Sequence, residues 1–207
     1  MPASRSVRAY IGLGANLGDA PATLAAAVHA LAALPGARLV RVSSLYRSRP
    51  VGVLDQPDFH NAALALDVPP GPDPQTGGLA ILMALKGLER AFGRQPRQRW
   101  GERELDLDLL VFGRHRIVSE DGGLPLEVPH PRAQERLFVL EPLAELAPRL
   151  VPPGWGETVA RAARRARVAE GPEAVRLAGR WEPGTARWTG RTAGSGRRSR
   201  ARSQAPA

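Results

Sequence analysis

The sequence contains no cysteine. That absence excludes disulfide scaffolds, thiolate metal sites and cysteine nucleophiles, and it is compatible with a reducing compartment. Long apolar runs are missing as well: no window approaches the roughly 18–20 consecutive apolar residues of a membrane span. Met1 to Arg8 runs into a strand-like segment without the apolar centre of a signal peptide. A soluble, cytoplasmic protein is expected. Lysine is nearly absent, Lys86 being the one lysine among 29 basic residues. A GC-rich coding sequence, which favours Arg, Ala, Gly and Pro, accounts for that bias.

What remains is 207 residues, 43% of them hydrophobic, with a formal net charge of +9. This is enough for one ordinary domain with an appendage and excludes a large multidomain machine. The charge is unevenly placed. Residues 1–157 carry 17 basic and 17 acidic side chains, whereas residues 158–207 carry 12 Arg and 3 Glu. The whole excess belongs to the C-terminal part, so the usual inference from a basic isoelectric point to nucleic acid attaches only there.

Hydrophobic periodicity divides the chain into elements. Val7 to Leu13 reads as a strand. Leu24, Val28 and Leu31 then fall at i, i+4, i+7 between Asp19 as cap and Pro35-Gly36 as stop, which predicts a helix. Arg38 to Tyr46 and Phe59 to Val68 read as strands, separated by a loop from Ser48 to Pro57, and Pro69 to Gly78 reads as linker. Ile81, Leu85, Leu88 and Phe92 form a second helical stripe over residues 76–92, ending at Gly93. Leu105 to Phe112 is a fourth strand. The order β-α-β-β-α-β predicts an α+β fold with a ferredoxin-like core and both helices on one sheet face. Additional C-terminal elements follow: an edge strand and short helix between Gly122 and Pro148, and a helix from Thr158 to Val168. Residues 1–170 are expected to form the domain. Residues 171–207, rich in Arg, Gly, Ser, Ala and Pro, are expected to be a disordered basic tail.

The segment Leu105-Asp106-Leu107-Asp108-Leu109 carries the clearest chemistry. Alternation sends the leucines into the core and brings Asp106 and Asp108 out together on the opposite face. Two adjacent carboxylates repel. They are either a solvated pair at a strand edge or a pair bridged by a cation, from Arg or Lys side chains or a hard divalent metal such as Mg²⁺. The preceding loop, Gly93 to Arg103, contains Arg94, Arg97, Arg99, Arg103 and Trp100. Arginine forks match phosphate oxygens, and such a loop beside two carboxylates suits polyphosphate transfer. Tyr10 to Gly18 superficially looks like a dinucleotide-binding glycine turn, but Leu17 stands where the third glycine belongs, and no Gly-Lys-Ser/Thr motif is present.

Together these stretches resemble the 6-hydroxymethyl-7,8-dihydropterin pyrophosphokinases, folate-pathway enzymes that move pyrophosphate from ATP to a pterin alcohol. The matching segments are Tyr10–Gly18, Val42–Arg47, Asp55–Ala63, Arg99–Asp108, and Val128–Pro131 with Arg136 and Phe138, in the family's order. The resemblance implies that Asp106 and Asp108 bind two Mg²⁺ ions bridging the ATP phosphates and the pterin hydroxyl. It implies that Phe59 and Phe138 sandwich the pterin while Asn61 and the backbone from Ser48 through Arg49 to Val51 read its polar edge. It places Glu89, Arg94, Arg97, Arg99, Trp100, Arg103, His130 and Arg136 around ATP, with Arg94 and Arg103 joining the aspartates in catalysis. Phe59 stands where the family often has Tyr, the arginine loop is short and contains Pro96, and Pro125-Leu126 replaces a basic residue. The expected partners are thus small molecules, bound by a monomer. A tail of this charge binds polyanions, nucleic acid included, only non-specifically through counterion release.

Overall fold

The computed structural model describes residues 6–95, 101–120 and 123–190. Strand β1 (Val7–Ala15) turns through Asn16-Leu17-Gly18 into helix α1 (Ala20–Ala32). Asp19 caps this helix by accepting the Ala22 N–H at 3.1 Å, and Pro21 occupies its first turn. Leu24, Val28 and Leu31 are buried, as their spacing predicts.

The expected strand from Arg38 to Tyr46 is two strands, β2 (Arg38–Val42) and β3 (Leu45–Ser48), both antiparallel to β4 (Phe59–Val68). Serine chemistry makes the break. The Ser43 hydroxyl donates to the Ser44 carbonyl at 2.7 Å and accepts the Ala63 N–H at 2.9 Å, and the Ser44 N–H turns away to Glu145 Oε2 at 2.9 Å. Short hydroxyl side chains compete in this way with the strand ladder. Helix α2 (Pro74–Ala91) begins inside the stretch expected to be linker, because Asp73 accepts the Thr76 N–H at 2.8 Å and proline is well tolerated in a first turn. It ends at Gly93, whose φ of +84° suits a residue without Cβ.

Strand β5 (Asp106–Phe112) is followed by the short antiparallel pair β6 (Ile117–Ser119) and β7 (Leu126–Val128), then α3 (Leu137–Leu146) and α4 (Val159–Glu170). The chain continues into β8 (Val175–Glu182) and β9 (Arg187–Thr189). The expectation of a disordered tail from residue 171 is therefore corrected over residues 171–190: β8 pairs with β3, and β9 with β8. Average composition hid an aromatic pair. Trp181 and Trp188 meet edge-to-face with centroids 4.7 Å apart, and the Trp188 indole N–H donates to the Ser43 carbonyl at 2.8 Å.

All pairings in the seven-stranded sheet, ordered β5-β1-β4-β3-β8-β9 with β2 also on β4, are antiparallel. One face, carrying Ile11, Leu13, Leu64, Leu66 and Leu107, packs under α1 and α2. On the other face α3 and α4 cover Leu110, Val111, Ala63 and Ala65. That second face is shared between a smaller core and an open cavity. No helix among the described residues is long and apolar enough to cross a membrane.

Candidate active site

The cavity begins with strand register. On β1, Gly12 stands opposite Asp108 and Gly14 opposite Asp106, and on its other side Gly14 faces Asn61 of β4. A Cβ on Gly14 would lie 3.6 Å from Asn61 Oδ1 and 3.9 Å from Asp106 Cβ, so the missing side chain leaves bare backbone between them. This is the role of Tyr10–Gly18. It is a strand and turn whose glycines floor a cavity of about 580 Å³. Leu105, Leu107 and Leu109 point the opposite way into the core, as alternation requires.

A bulge opposite Tyr10 and Ile11 makes Leu110 the extra residue of β5. Its carbonyl accepts the His130 N–H at 2.9 Å, which brings His130 over the aspartates. The Arg132 N–H donates to His130 Nδ1 at 3.3 Å, and a ring whose Nδ1 accepts carries its proton at Nε2, leaving a donor for the cavity.

Arginines neutralise one aspartate. Arg94 Nη1 lies 2.8 Å from Asp106 Oδ1, and Arg103 Nη1 lies 2.7 Å from Asp106 Oδ2. Burial disfavours the charge of Arg94, but Asp106 and Glu89 more than offset it and raise its pKa. Asp108 is different. Burial, then repulsion by Asp106, hold its pKa above the ordinary carboxylate value, against the opposing pull of the nearby His130 and Lys86. A cation held by these carboxylates would relieve that repulsion. No cluster of three or more His, Asp or Glu gathers among the described residues, so the protein offers two carboxylates and leaves further ligand positions to substrate and water. That donor set fits Mg²⁺.

On the opposite wall Asn61 Nδ2 donates to Ser48 Oγ at 2.9 Å, and Ser48, Arg49, Val51, Phe59, Asn61 and Phe138 all line the cavity. Arg103, His130 and Arg136 line it as well. Burial and then the neighbouring Arg132 lower the pKa of Arg136, so an anion there would be favoured. Two expected contact residues lie elsewhere. Arg94 reaches Asp106 from outside the cavity lining. Glu89, 2% exposed, stands behind the lining: its Oε1 accepts the Leu107 N–H and the Lys86 ammonium, both at 2.8 Å, and so pins β5 between its two aspartates. Arg97, Arg99 and Trp100 lie outside the described residues.

Sequence reasoning missed several residues. Gly12 and Gly14 had a legible signal, two glycines at strand spacing. Arg132 and Glu170 also line the cavity, without a motif to announce them. Asn16 joins three loops: its Oδ1 accepts the Arg103 N–H at 2.7 Å, while its Nδ2 donates to Gln56 Oε1 and to the Pro57 carbonyl, both at 3.0 Å. Three satisfied hydrogen bonds on a side chain 5% exposed fix the loops relative to β1.

Residues 10–148 match the model of the 7,8-dihydro-6-hydroxymethylpterin-pyrophosphokinase (HPPK) family. The chain belongs to the HPPK family. It is 44% identical over 155 residues to the 2-amino-4-hydroxy-6-hydroxymethyldihydropteridine pyrophosphokinase of Methylorubrum extorquens, covering 75% of this chain and 90% of that one. It is 46% identical over 144 residues to the Pseudomonas aeruginosa protein of the same name, covering 69% and 82%. Among solved structures, a wild-type Plasmodium falciparum HPPK-DHPS superposes with a TM-score of 0.69 at 12% identity. The match covers 92% of this chain and 51% of that one, so this HPPK chain spans about half the length of that structure's chain and shares its fold.

Proposed function

We propose that the protein transfers pyrophosphate from ATP to the hydroxymethyl oxygen of 6-hydroxymethyl-7,8-dihydropterin, giving the pterin diphosphate and AMP in folate biosynthesis. The observation that carries this reading is the pairing of Asp106 and Asp108 over a glycine floor, with Arg103, His130 and Arg136 around them and two phenylalanines on the same cavity. The antiparallel order of β5, β1, β4 and the β2/β3 pair, with α1 and α2 on one face, supports a ferredoxin-like βαββαβ core. On this reading the protein is a monomer acting on small, polar, cytoplasmic substrates.

The flat pterin lies between Phe59 and Phe138, with Asn61 and the Ser48–Val51 backbone on its polar edge. On the phosphate side, Arg103, His130 and Arg136 donate to the triphosphate oxygens. The resemblance assigns Arg97, Arg99 and Trp100, which lie outside the described residues, to the nucleotide side, and Glu89 holds the aspartate strand in register. Asp106 and Asp108 would hold two Mg²⁺ ions, which neutralise phosphate charge and favour ionisation of the attacking hydroxyl. The alcohol oxygen forms its bond to the β-phosphorus as the bond from that phosphorus to the α–β bridging oxygen breaks. AMP leaves with that oxygen, and the hydroxyl proton passes to solvent. The chain's own task is alignment and charge compensation, because in-line transfer needs placement more than a covalent catalyst.

Asp106→Asn and Asp108→Asn test the site. Each variant should lose turnover by about a thousandfold or more, with its circular-dichroism melt preserved because neither carboxylate faces the core. A near-normal rate in either variant contradicts the assignment.

A further inference from the structure

Helix α3 starts without a capping side chain of its own: its N-cap position is Arg136, in extended backbone, with no cap hydrogen bond. First-turn N–H groups have no partner within a helix. Here the Leu137 N–H donates to Oε1 of Glu170 at 2.8 Å, a carboxylate arriving from the last residue of α4. Negative charge at that end also suits the helix dipole. The residues on either side of Leu137 are Arg136 and Phe138, whose guanidinium carbon and ring centroid lie 5.6 Å apart. Both line the cavity, and so does Glu170. Glu170 lies beyond residue 148, where the family match ends.

We propose that Glu170 is a positioning residue for the substrate site: it fixes the start of α3 and thereby the placement of Arg136 and Phe138 on the cavity wall. The segment after the family match is then part of the site. This rests on the reading that Phe138 stacks on the pterin. Folding of α3 has other support, since Leu137, Leu140, Leu143 and Leu146 are buried. Glu170 itself is on the exposed side of α4, so its removal opens no core.

The test is steady-state kinetics of the full chain with ATP, Mg²⁺ and 6-hydroxymethyl-7,8-dihydropterin. Losing a hydrogen bond to a charged acceptor predicts that Glu170→Ala raises the KM for pterin about tenfold, with kcat within about twofold and an unchanged melt. Glu170→Gln keeps an acceptor oxygen and should recover most of the affinity. Phe138→Ala is measured alongside. If it raises the pterin KM while Glu170→Ala does not, the positioning role is overturned and the site reading stands. If neither changes KM, the site reading fails and this inference with it. Should Glu170→Ala lose its cooperative melt, Glu170→Asp, one methylene shorter, decides: a raised pterin KM supports the role, and a wild-type KM overturns it.

Discussion

Glycine at positions 12 and 14 leaves the space that the two aspartates overlook. A Cβ at position 14 meets only ordinary contacts, 3.6 Å from Asn61 Oδ1 and 3.9 Å from Asp106 Cβ, so the protein itself has room for a methyl group that would project into the cavity. Gly14→Ala should therefore fold with nearly the wild-type melting temperature and bind substrate more weakly, read by calorimetric titration with an ATP analogue and pterin. Unchanged binding would remove the glycine floor from the account. At this scale the sequence was most legible where alternation alone decides direction. Asp106 and Asp108 could be assigned to one face from their spacing, whereas Asn16, though inside the matched Tyr10–Gly18 stretch, and Glu170 bond to partners tens of residues away, which no local pattern announces. The resemblance places Glu89 around ATP, and its carboxylate contacts the β5 backbone, Lys86 and Arg94.

Elements were legible where caps and periodicity agree, as in α1 and α2, and misread where one side chain outweighs the pattern. Ser43 and Ser44 split an apparently continuous strand because their hydroxyls and Glu145 offer alternative hydrogen bonds. The strands are also tied electrostatically. Asp67 of β4 stands opposite both Arg8 of β1 and Arg38 of β2 and pairs with each. The Arg8 hydrogen bond, more than offsetting burial and helped by both charges, holds the Asp67 pKa below its ordinary value. A depressed native pKa means that this stabilisation is present above the unfolded pKa near ~3.9 and is lost as pH falls through the native one. Asp67→Asn should cost about 1–2 kcal/mol at pH 7. In urea melts that gap should narrow as pH is lowered through the acid range, and a gap independent of pH would contradict the charge-pair account.

For the whole molecule, charge averaging proved the weaker guide. The C-terminal part carries the entire net charge, yet β8 and β9 close the sheet on β3 and bury Trp188 to 9% exposure. Composition over tens of residues cannot register two tryptophans that pack on each other and on Ser43. Ending the chain after Gly190 should leave turnover intact. Ending it after Glu170 removes both strands and should cost about 3 kcal/mol or more of stability, the usual penalty for losing a buried tryptophan. Equal melting temperatures for the two truncations would show the hairpin to be dispensable. The central claim concerns the reaction itself, transfer of a diphosphoryl unit by attack at the β-phosphorus. It is tested most directly by mixing the purified chain with ATP, Mg²⁺ and 6-hydroxymethyl-7,8-dihydropterin and quantifying nucleotide products against the pterin product. AMP formed in equal amount to pterin diphosphate is the predicted result, and ADP as the product, or no turnover from folded protein, would contradict it.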